Sequence, residues 1–332
     1  MKGPRQQRGI AVLTAMLVVA IATILAVELL WGTSLDLRRA QNMLERDQAM
    51  QVARGMEILA AELLRDDAEN SDFDALTERW AEDYGFPFEN GNVVGRLDDM
   101  QGRFNINSLI NSEGNRDETA SAQFRRLIEN LAQDIDDVDP EGIVDAVVDW
   151  LDPDQLPSGI GGAEDGVYTN RTPPHRAANF WMTSPTELLA VDGITPDLYD
   201  ALGQLLSALP PGSKATAINV NTAPAGVLRS LSEEVSDSDV ETWIESRETA
   251  PFETEEEFLE ASPDIFPPAD NDNNRNTNGA AAVEPVELTV NSDWFVLTAV
   301  VSIGTTRLSM YSLLDRSNEG TVVARLRAFD TL

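Results

Sequence analysis

Five carboxylates lie between residues 149 and 165, and their types and spacing could bind a cation. They are Asp149, Asp152, Asp154, Glu164 and Asp165. The first three fall at the predicted C-terminal end of a helix, where the helix dipole disfavours each exposed carboxylate by about 0.3–1 kcal/mol. A bound cation would offset this crowding of negative charge, so the segment is a candidate metal site.

Oxygen ligands without sulfur or histidine favour a hard cation here. Glu164 and Asp165 lie in the glycine-rich stretch GGAEDGVY, and Asn179 follows further along the chain. A flexible loop can offer the roughly six to eight oxygens that calcium takes, which favours Ca²⁺ over Mg²⁺. The spacing is not that of an EF-hand, and a solvated acidic loop explains the same residues. Both interpretations stay open on the residues alone.

Catalysis is disfavoured by the motifs that are missing. Paired carboxylates can act as general acid and base, but a surplus of acids makes accidental pairs common. The sequence has no nucleophile elbow, phosphate-binding loop or HExxH motif. It has no cysteine, and its single histidine, His175, rules out any two-histidine mechanism. We therefore expect no enzymatic activity.

The elements that position the acids are predicted to be helical. Asp139 and Pro140 are a good N-cap and first turn. The buried stripe of the following helix consists of Ile143, Val144, Val147, Val148 and Leu151. Residues 112–265 carry further helix and cap patterns, including two stretches that resemble helix–hairpin–helix units, SPTELLAVDGITPDLYDAL and TWIESRETAPFETEEEFLEA.

The charge of the chain bears on its partners. The 332 residues include 24 basic and 57 acidic side chains, a formal net charge of −33. Helix–hairpin–helix units often bind DNA phosphates, but this charge repels a polyanion. We therefore expect no nucleic acid partner and a protein-packing role for both units. A DNA-uptake factor remains the alternative that a binding assay would reveal.

The N-terminal segment is predicted to cross a membrane. Residues 10–30 carry no charge before Glu28, and about 20 such residues span a hydrocarbon layer as a helix. Lys2, Arg5 and Arg8 precede the segment, so the positive-inside rule places them in the cytoplasm and the remaining chain outside it.

Three interpretations of this segment stay open on composition. It could be a cleaved secretory signal or a plain signal anchor. The third depends on Gly9, which ends the basic leader directly before the apolar run and resembles the cleavage site of type IV pilins and type II secretion pseudopilins. Cleavage there makes Ile10 the first residue. Mature position five, which is glutamate in that pattern, is Thr14.

The remaining pattern predicts an α+β fold. Apolar spacing predicts one helix from about residue 10 to 65, and residues 70–90 suggest a short helix and a turn. The segments NVVGRLDD and GRFNINSL are predicted to pair as a hairpin. Residues 270–279 are predicted to form a flexible loop. The C-terminal segment that follows is predicted to form three antiparallel strands. FNINSLI and INVNTAPAGVL share an Asn-x-Asn core, which suggests two chain passes lying side by side or a chance match.

Taken together, these residues resemble the general secretion pathway protein K family, the large minor pseudopilin of type II secretion. The resemblance includes Gly9, Thr14, GRFNINSL, IVDAVVDWLDPD, GGAEDGVY, TELLAVDGI, INVNTAP and the terminal strands. It implies a pilin-like fold in which a long N-terminal helix packs on an antiparallel sheet, with a large all-helical insertion.

The resemblance also implies a processing route and partners. Prepilin peptidase would cut after Gly9 and methylate Ile10, leaving a single-pass inner-membrane protein with its head in the periplasm. The I and J minor pseudopilins would join it at the tip of the pseudopilus, where Thr14 suits a subunit with none above it. A membrane-anchored calcium-binding protein without a filament role is the alternative.

Calcium binding is a further implication, carried to Asp149, Asp152, Asp154, Glu164 and Asp165. The divisions predicted on this basis are a cleaved leader (1–9), a transmembrane helix (10–31), an amphipathic helix with the first part of the pilin-like domain (32–110), a helical insertion with the acidic site (111–217), a second helical segment (218–268), a flexible loop (269–280) and a C-terminal β-meander (281–332).

Overall fold

The computed structural model describes residues 7–132, 135, 137–211, 216–263, 265–266, 286–318 and 320–330. The predicted loop at 269–280 and most of the predicted leader lie outside the described residues.

One helix, α1, runs without a break from Gln7 to Asn70. Its first part is apolar and exposed, with a mean hydropathy of 2.8 over its most apolar window. Its second part packs on the sheet through a stripe at three- to four-residue spacing, which consists of Ala49, Ala53, Met56, Ala60 and Leu64. The predicted long helix, apolar and then amphipathic, is confirmed.

A five-stranded antiparallel sheet covers this stripe. In their order across the sheet, its strands are β1 (Tyr84–Phe88), β2 (Gly91–Asp99), β7 (Trp294–Ile303), β8 (Thr306–Asn318) and β9 (Thr321–Phe329). The inward side chains of β7 alternate with outward ones, so Phe295 and Leu297 are buried against α1 while Val296 points to the other face. The predicted terminal meander is confirmed as β7 to β9.

The predicted hairpin is wrong. β2 pairs with β1 on one side, around the turn at Glu89 and Asn90, and with β7 on the other. Residues 84–88, predicted as the end of a short helix and a turn, form an edge strand that contains Pro87, which an edge tolerates because its missing N–H faces outward. Nearly 200 residues separate β2 from β7, and the contacts between these two strands decided the pairing. Local turn signals in the sequence do not indicate so distant a partner.

The insertion between β2 and β7 contains the other α-helices and strands that the structure describes. They are β3 (Phe104–Asn105), α2 (Glu118–Leu131), α3 (Pro140–Leu151), α4 (Asp165–Tyr168), α5 (Pro196–Leu202), β4 (Leu206–Ser207), β5 (Ile218–Asn219), α6 (Ala225–Arg229), α7 (Asp237–Thr249), α8 (Glu255–Glu260) and β6 (Leu288–Thr289). The insertion is therefore mainly helical but not entirely so, because β3 pairs with β4 and β5 pairs with β6, both in parallel.

Two separate apolar cores divide the insertion into two helical units. The first unit spans residues 102–211 and buries Phe104, Phe124 and Tyr168, among others. The second spans residues 216–290 and buries Trp243 and Phe258. Each unit begins with one of the two Asn-x-Asn segments, whose first residues form a short parallel strand pair. The repeated motif therefore marks the start of each helical unit.

A buried polar network joins the sheet to the second unit. Asp99, at the end of β2, accepts hydrogen bonds from the side chains of Asn219, Thr222 and Ser292. Burial raises the pKa of Asp99. Asn219 and Thr222 belong to the second unit, and both donate to the same oxygen of Asp99, so this carboxylate links that unit to the end of β2.

Candidate metal centre

Helix α3 delivers the first acids. Asp139 caps its N-terminus by accepting from the amide of Gly142 at 3.2 Å, and Pro140 occupies its first turn, as the sequence predicted. The helix is buried on nearly all sides, so Asp149 in its last turn is fully buried. Asp152 is the C-cap, and its amide donates to the carbonyl of Val148 at 2.9 Å. The apolar stripe of α3 therefore holds two carboxylates at a fixed point in the unit.

The loop after α3 returns a third and a fourth carboxylate to the same place. Asp152, Asp154 and Glu164 each have a carboxylate oxygen within 4.8 Å of the other two. Asp149 borders them, with one oxygen accepting from the amide of Ser158 at 2.8 Å. The tertiary structure thus gathers acids that lie up to 15 positions apart in the sequence.

Four carboxylate oxygens of this cluster are left without donors. Asp149 Oδ2, Asp152 Oδ1 and both carboxylate oxygens of Glu164 are buried without a hydrogen-bond partner. A buried charged oxygen that loses water and gains no partner is strongly disfavoured. The described part of the chain places no arginine or lysine within ion-pair distance of Asp149, Asp152 or Glu164, so the arrangement calls for a cation from outside.

The raised pKa values of two of these carboxyls reflect the same cost of burying unpaired negative charge. Burial, followed by the charges of Asp154 and Asp149, raises the pKa of Asp152 to about 6. Burial, followed by the charges of Asp149, Asp152 and Asp154, raises the pKa of Glu164 to about 7. Without a cation, both carboxyls hold their protons to a higher pH than an ordinary Asp or Glu does.

Asp165 faces a different neighbour. It is the first residue of α4, its Oδ1 accepts from the amide of Ala177 at 3.2 Å, and its Oδ2 lies 3.5 Å from Arg176. Its carboxylate therefore holds the 176–177 segment. Asn179 donates from its side chain to the carbonyl of Asp154, which ties the same segment to the acidic loop.

The loop is held in shape by a residue that the sequence analysis did not single out. Asp145 lies one turn before Asp149 on α3, pairs with Arg116 at 2.7 Å and accepts from the amide of Gly161 at 3.2 Å. Asp145 precedes Asp149 by four residues, and this spacing in the sequence could have indicated that both carboxylates lie on the same face of α3. Gly162 has no room for a side chain, because a Cβ there would collide with Ser158 O and Asp149 Oδ2.

A second acidic group among the described residues has its own cation. Carboxylate oxygens of Asp67, Asp74 and Glu78 also lie within 4.8 Å of one another. Arg316, however, pairs with Asp67 at 3.1 Å and with Asp74 at 2.5 Å, and its guanidinium lies over Phe295. The guanidinium neutralises two of the three carboxylates, so we interpret this group as a structural ion-pair network.

Comparisons with known proteins identify the family. The type II secretion system protein K of Pseudomonas aeruginosa is 32% identical over 327 residues, which is 96% of this chain and 91% of that protein. The chain belongs to the type II secretion system protein K family. The protein K of Aeromonas hydrophila is 29% identical over 333 residues, 96% of both chains.

The family models and a solved structure agree with the fold described above. Two models described as type II secretion system, protein K, match residues 102–211 and 218–265, which correspond to the two helical units. A chain from the GspK-GspI-GspJ complex of enterotoxigenic Escherichia coli shares the fold, with a TM-score of 0.71 and 24% identity over 89% of this chain and all of that one. The acidic cluster lies within the first matched unit.

The residues predicted to carry processing and placement lie in the first two turns of α1. Gly9 and Ile10 are within the helix, and the Thr14 hydroxyl donates to the carbonyl of Ala11 at 3.0 Å. This bond within the helix satisfies the polar hydrogen of Thr14 without any partner chain. The threonine can therefore enter a hydrocarbon environment at a low cost.

Proposed function

We propose that this protein is a minor pseudopilin at the tip of the type II secretion pseudopilus, where it initiates assembly for protein export across the outer membrane. The observation that carries the proposal is α1, one unbroken helix that is first apolar and exposed and then packed on a sheet. Such a helix can lie in the inner membrane before assembly and in the filament afterwards. The role requires no catalysis.

Maturation begins with the leader. Prepilin peptidase cuts after Gly9, which removes the three basic residues and frees the amine of Ile10 for methylation. The head stays in the periplasm, since the positive leader is retained on the cytoplasmic side. The apolar part of α1 then anchors the mature protein in the inner membrane.

Thr14 supports a position at the tip. In pilins, a glutamate at mature position five is understood to neutralise the N-terminal amine of the subunit already above it. A carboxylate without such a partner costs several kcal/mol in lipid. A subunit that enters first meets no such amine, so a self-satisfied threonine suits it better. The insertion between β2 and β7 also adds bulk that hinders another head from stacking above.

An exposed stripe on the second part of α1 supports assembly with other pseudopilins. Leu37, Leu44 and Ile58 are 69%, 58% and 72% exposed. Their spacings of seven and fourteen residues place them on one face, opposite the stripe that packs on the sheet. We assign this face to the helices of the I and J minor pseudopilins, because the solved relative comes from a complex with GspI and GspJ.

Calcium stabilises the head in this proposal. Asp152, Asp154 and Glu164 supply the converging oxygens, Asp149 borders them, and Asp165 holds the adjoining segment. The unpartnered oxygens favour a cation over a solvated loop, because a solvated loop would expose them to water. An all-oxygen donor set on a loop with several glycines suits calcium.

Mass spectrometry of the protein from its native host tests processing. We expect a mature chain that begins with N-methylated Ile10 and a Gly9→Val variant that keeps its leader. A mature chain with any other first residue, or a wild-type chain that is never cut, overturns the pseudopilin assignment.

Counting pseudopili tests the tip role. Cells without this protein should form few pseudopili, and wild-type protein or Thr14→Ala should restore their number. Thr14→Glu should restore it poorly, because its carboxylate has no partner in the first subunit. Equal restoration by the alanine and glutamate variants would contradict the tip position.

A further inference from the structure

A groove of about 490 Å³ separates the first helical unit from the outer face of the sheet. Its sheet side contains Val296, Leu313 and Leu326, which are cross-strand neighbours on β7, β8 and β9 and lie on the face turned away from α1. The helical unit contributes Pro185 and Leu206, among others. The groove thus has apolar walls from two parts of the head.

Among the described residues that line this groove, Arg103 is the one arginine, and no described residue pairs with it. Among the residues that the structure describes, no carboxylate lies within ion-pair distance of its guanidinium, which also makes no hydrogen bond. Asp98 and Asp99 influence it only through space. Burial lowers the pKa of Arg103 below its ordinary value, but an arginine still stays cationic at neutral pH. A half-buried cation beside apolar walls is costly to leave unpaired.

Two further polar groups lie in the walls. The hydroxyl oxygen of Ser207 is buried without a hydrogen-bond partner. The carboxylate of Asp200 is exposed at the rim and forms no ion pair with Arg103. Among the described residues of the groove, Arg103 therefore carries the unpaired positive charge.

We propose that this groove binds a short extended segment of a partner protein, with apolar side chains on the sheet and a carboxylate paired with Arg103. The groove crosses from just beyond the end of β2 to β9, which is three strand spacings or about 14 Å. An extended peptide covers that distance with about four residues. The carboxylate is either a chain terminus or an Asp or Glu side chain.

The net charge of the chain makes this contact selective. A chain of charge −33 repels an anionic segment at long range. At physiological salt that repulsion is largely screened beyond about 8 Å. The short-range pair with Arg103, in a partly desolvated groove, is screened much less. Binding should therefore depend on this arginine and not on general electrostatics.

Fluorescence polarisation with labelled peptides and the full chain in lipid nanodiscs tests the proposal. The probes are Leu-Val-Ala-Leu with a free carboxylate and as its amide, and amidated Leu-Val-Glu-Leu beside amidated Leu-Val-Gln-Leu. We expect at least one carboxylate peptide to bind about tenfold more tightly than its neutral match. The first pair reports a chain terminus, and the second reports an acidic side chain.

Two variants and a matched control assign the binding to the groove. Arg103→Gln should remove the preference for the carboxylate and leave the weak binding of the neutral peptides. Ala328→Trp, which adds bulk at the β9 rim, should weaken every peptide while the melting temperature is retained. Arg96→Gln removes a more exposed arginine that pairs with Asp98 outside the groove and should change nothing.

The proposal fails on any of three results. The first is that neither carboxylate peptide binds at about 1 mM, the limit of weak association. The second is that charged and neutral probes bind equally. The third is that the preference for a carboxylate survives Arg103→Gln. None of these results bears on processing at Gly9 or on the tip position.

Discussion

Asn107 and Asn221 hold equivalent positions in the two helical units, and each clamps a distant backbone segment with the same pair of hydrogen bonds. Asn107 accepts from the amide of Met182 at 2.8 Å and donates to its carbonyl at 2.9 Å. Asn221 makes both bonds with Phe252 at 2.9 Å. Both clamped residues lie just before a capped helical turn, so the two units share one local design despite their different sequences.

Replacing either clamp should destabilise its own unit. Asn107→Ala leaves buried backbone groups of Met182 unpaired, which costs about 2–4 kcal/mol. Native-state hydrogen exchange should show faster exchange in the core of the first unit and little change in the second. Asn221→Ala should do the reverse.

Asn170→Ala is the matched control, because that exposed asparagine bonds only to the carbonyl of Gly166 within its own turn. It should leave exchange unchanged in both units. If Asn107→Ala accelerated exchange equally in both, the two cores would unfold together, contrary to this prediction.

Calcium should stabilise the head through Asp152 and Glu164. The double variant Asp152→Asn/Glu164→Gln should lose the rise in melting temperature that calcium produces. For the wild type, that rise corresponds to about 2.7 kcal/mol at a calcium concentration 100 times Kd. In chelator the variant should melt above the wild type, because it no longer buries unpaired carboxylates. Differential scanning calorimetry of the full chain measures both effects.

Glu241→Gln/Glu245→Gln controls for the change in net charge, since both residues are exposed on α7. It should keep the full calcium response, and Asp165→Asn should keep most of it, because that carboxylate holds Ala177 instead. A wild-type melting temperature that is the same in calcium and in chelator would exclude the site.

The calcium response should depend on pH. The pKa values of Asp152 and Glu164 are raised to about 6 and about 7 in the folded state without a cation. A raised folded-state pKa adds stability below the unfolded value, near 4, and this contribution is lost as pH rises through 6 to 7. The cation-free head should therefore lose stability over that window. Calcium competes with protons, so its stabilising effect should grow over the same window.

Thermal unfolding at pH 5 and pH 8, with and without calcium, measures this linkage. The increment caused by calcium should be small at pH 5 and full at pH 8. An increment of equal size at both values would show that other groups bind the ion.

The exposed stripe on α1 should be needed for assembly and not for folding. Leu44→Glu or Ile58→Glu places a charge where a partner helix would pack, and burying it costs several kcal/mol. Co-purification with the I and J minor pseudopilins should fall by at least about tenfold, while the melting temperature of the head stays within about 1 °C.

Leu76→Glu is the control, because it makes the same substitution at a residue that is 57% exposed and lies outside α1. It should leave co-purification unchanged. A stripe variant that assembled as well as the wild type would move the interface to another surface.

Patterns with a local cause were predictable from the sequence. The period of α1, the cap of α3 at Asp139 and the alternation in β7 to β9 each arise from neighbours within a few residues. The error at β1 and β2 has the opposite cause. β2 contains Asp98 and Asp99 at its end and could pair with any later apolar segment, so only contacts with β7 fixed its partner and register.

In the acidic segment, too, some features follow from the sequence and others only from the tertiary structure. The sequence by itself determined which carboxylates were available and that no sulfur or second histidine could join them. It also determined the net charge and the apolar segment at residues 10–30, which is long enough to cross a membrane. Only the tertiary structure decided that Asp152, Asp154 and Glu164 converge and that Asp165 turns to Ala177. It also decided that no carboxylate in the described part of the chain pairs with Arg103. The direction of a side chain after a loop depends on which distant backbone amides and cationic groups lie close to it in the fold. The spacing of residues along the chain does not specify those neighbours.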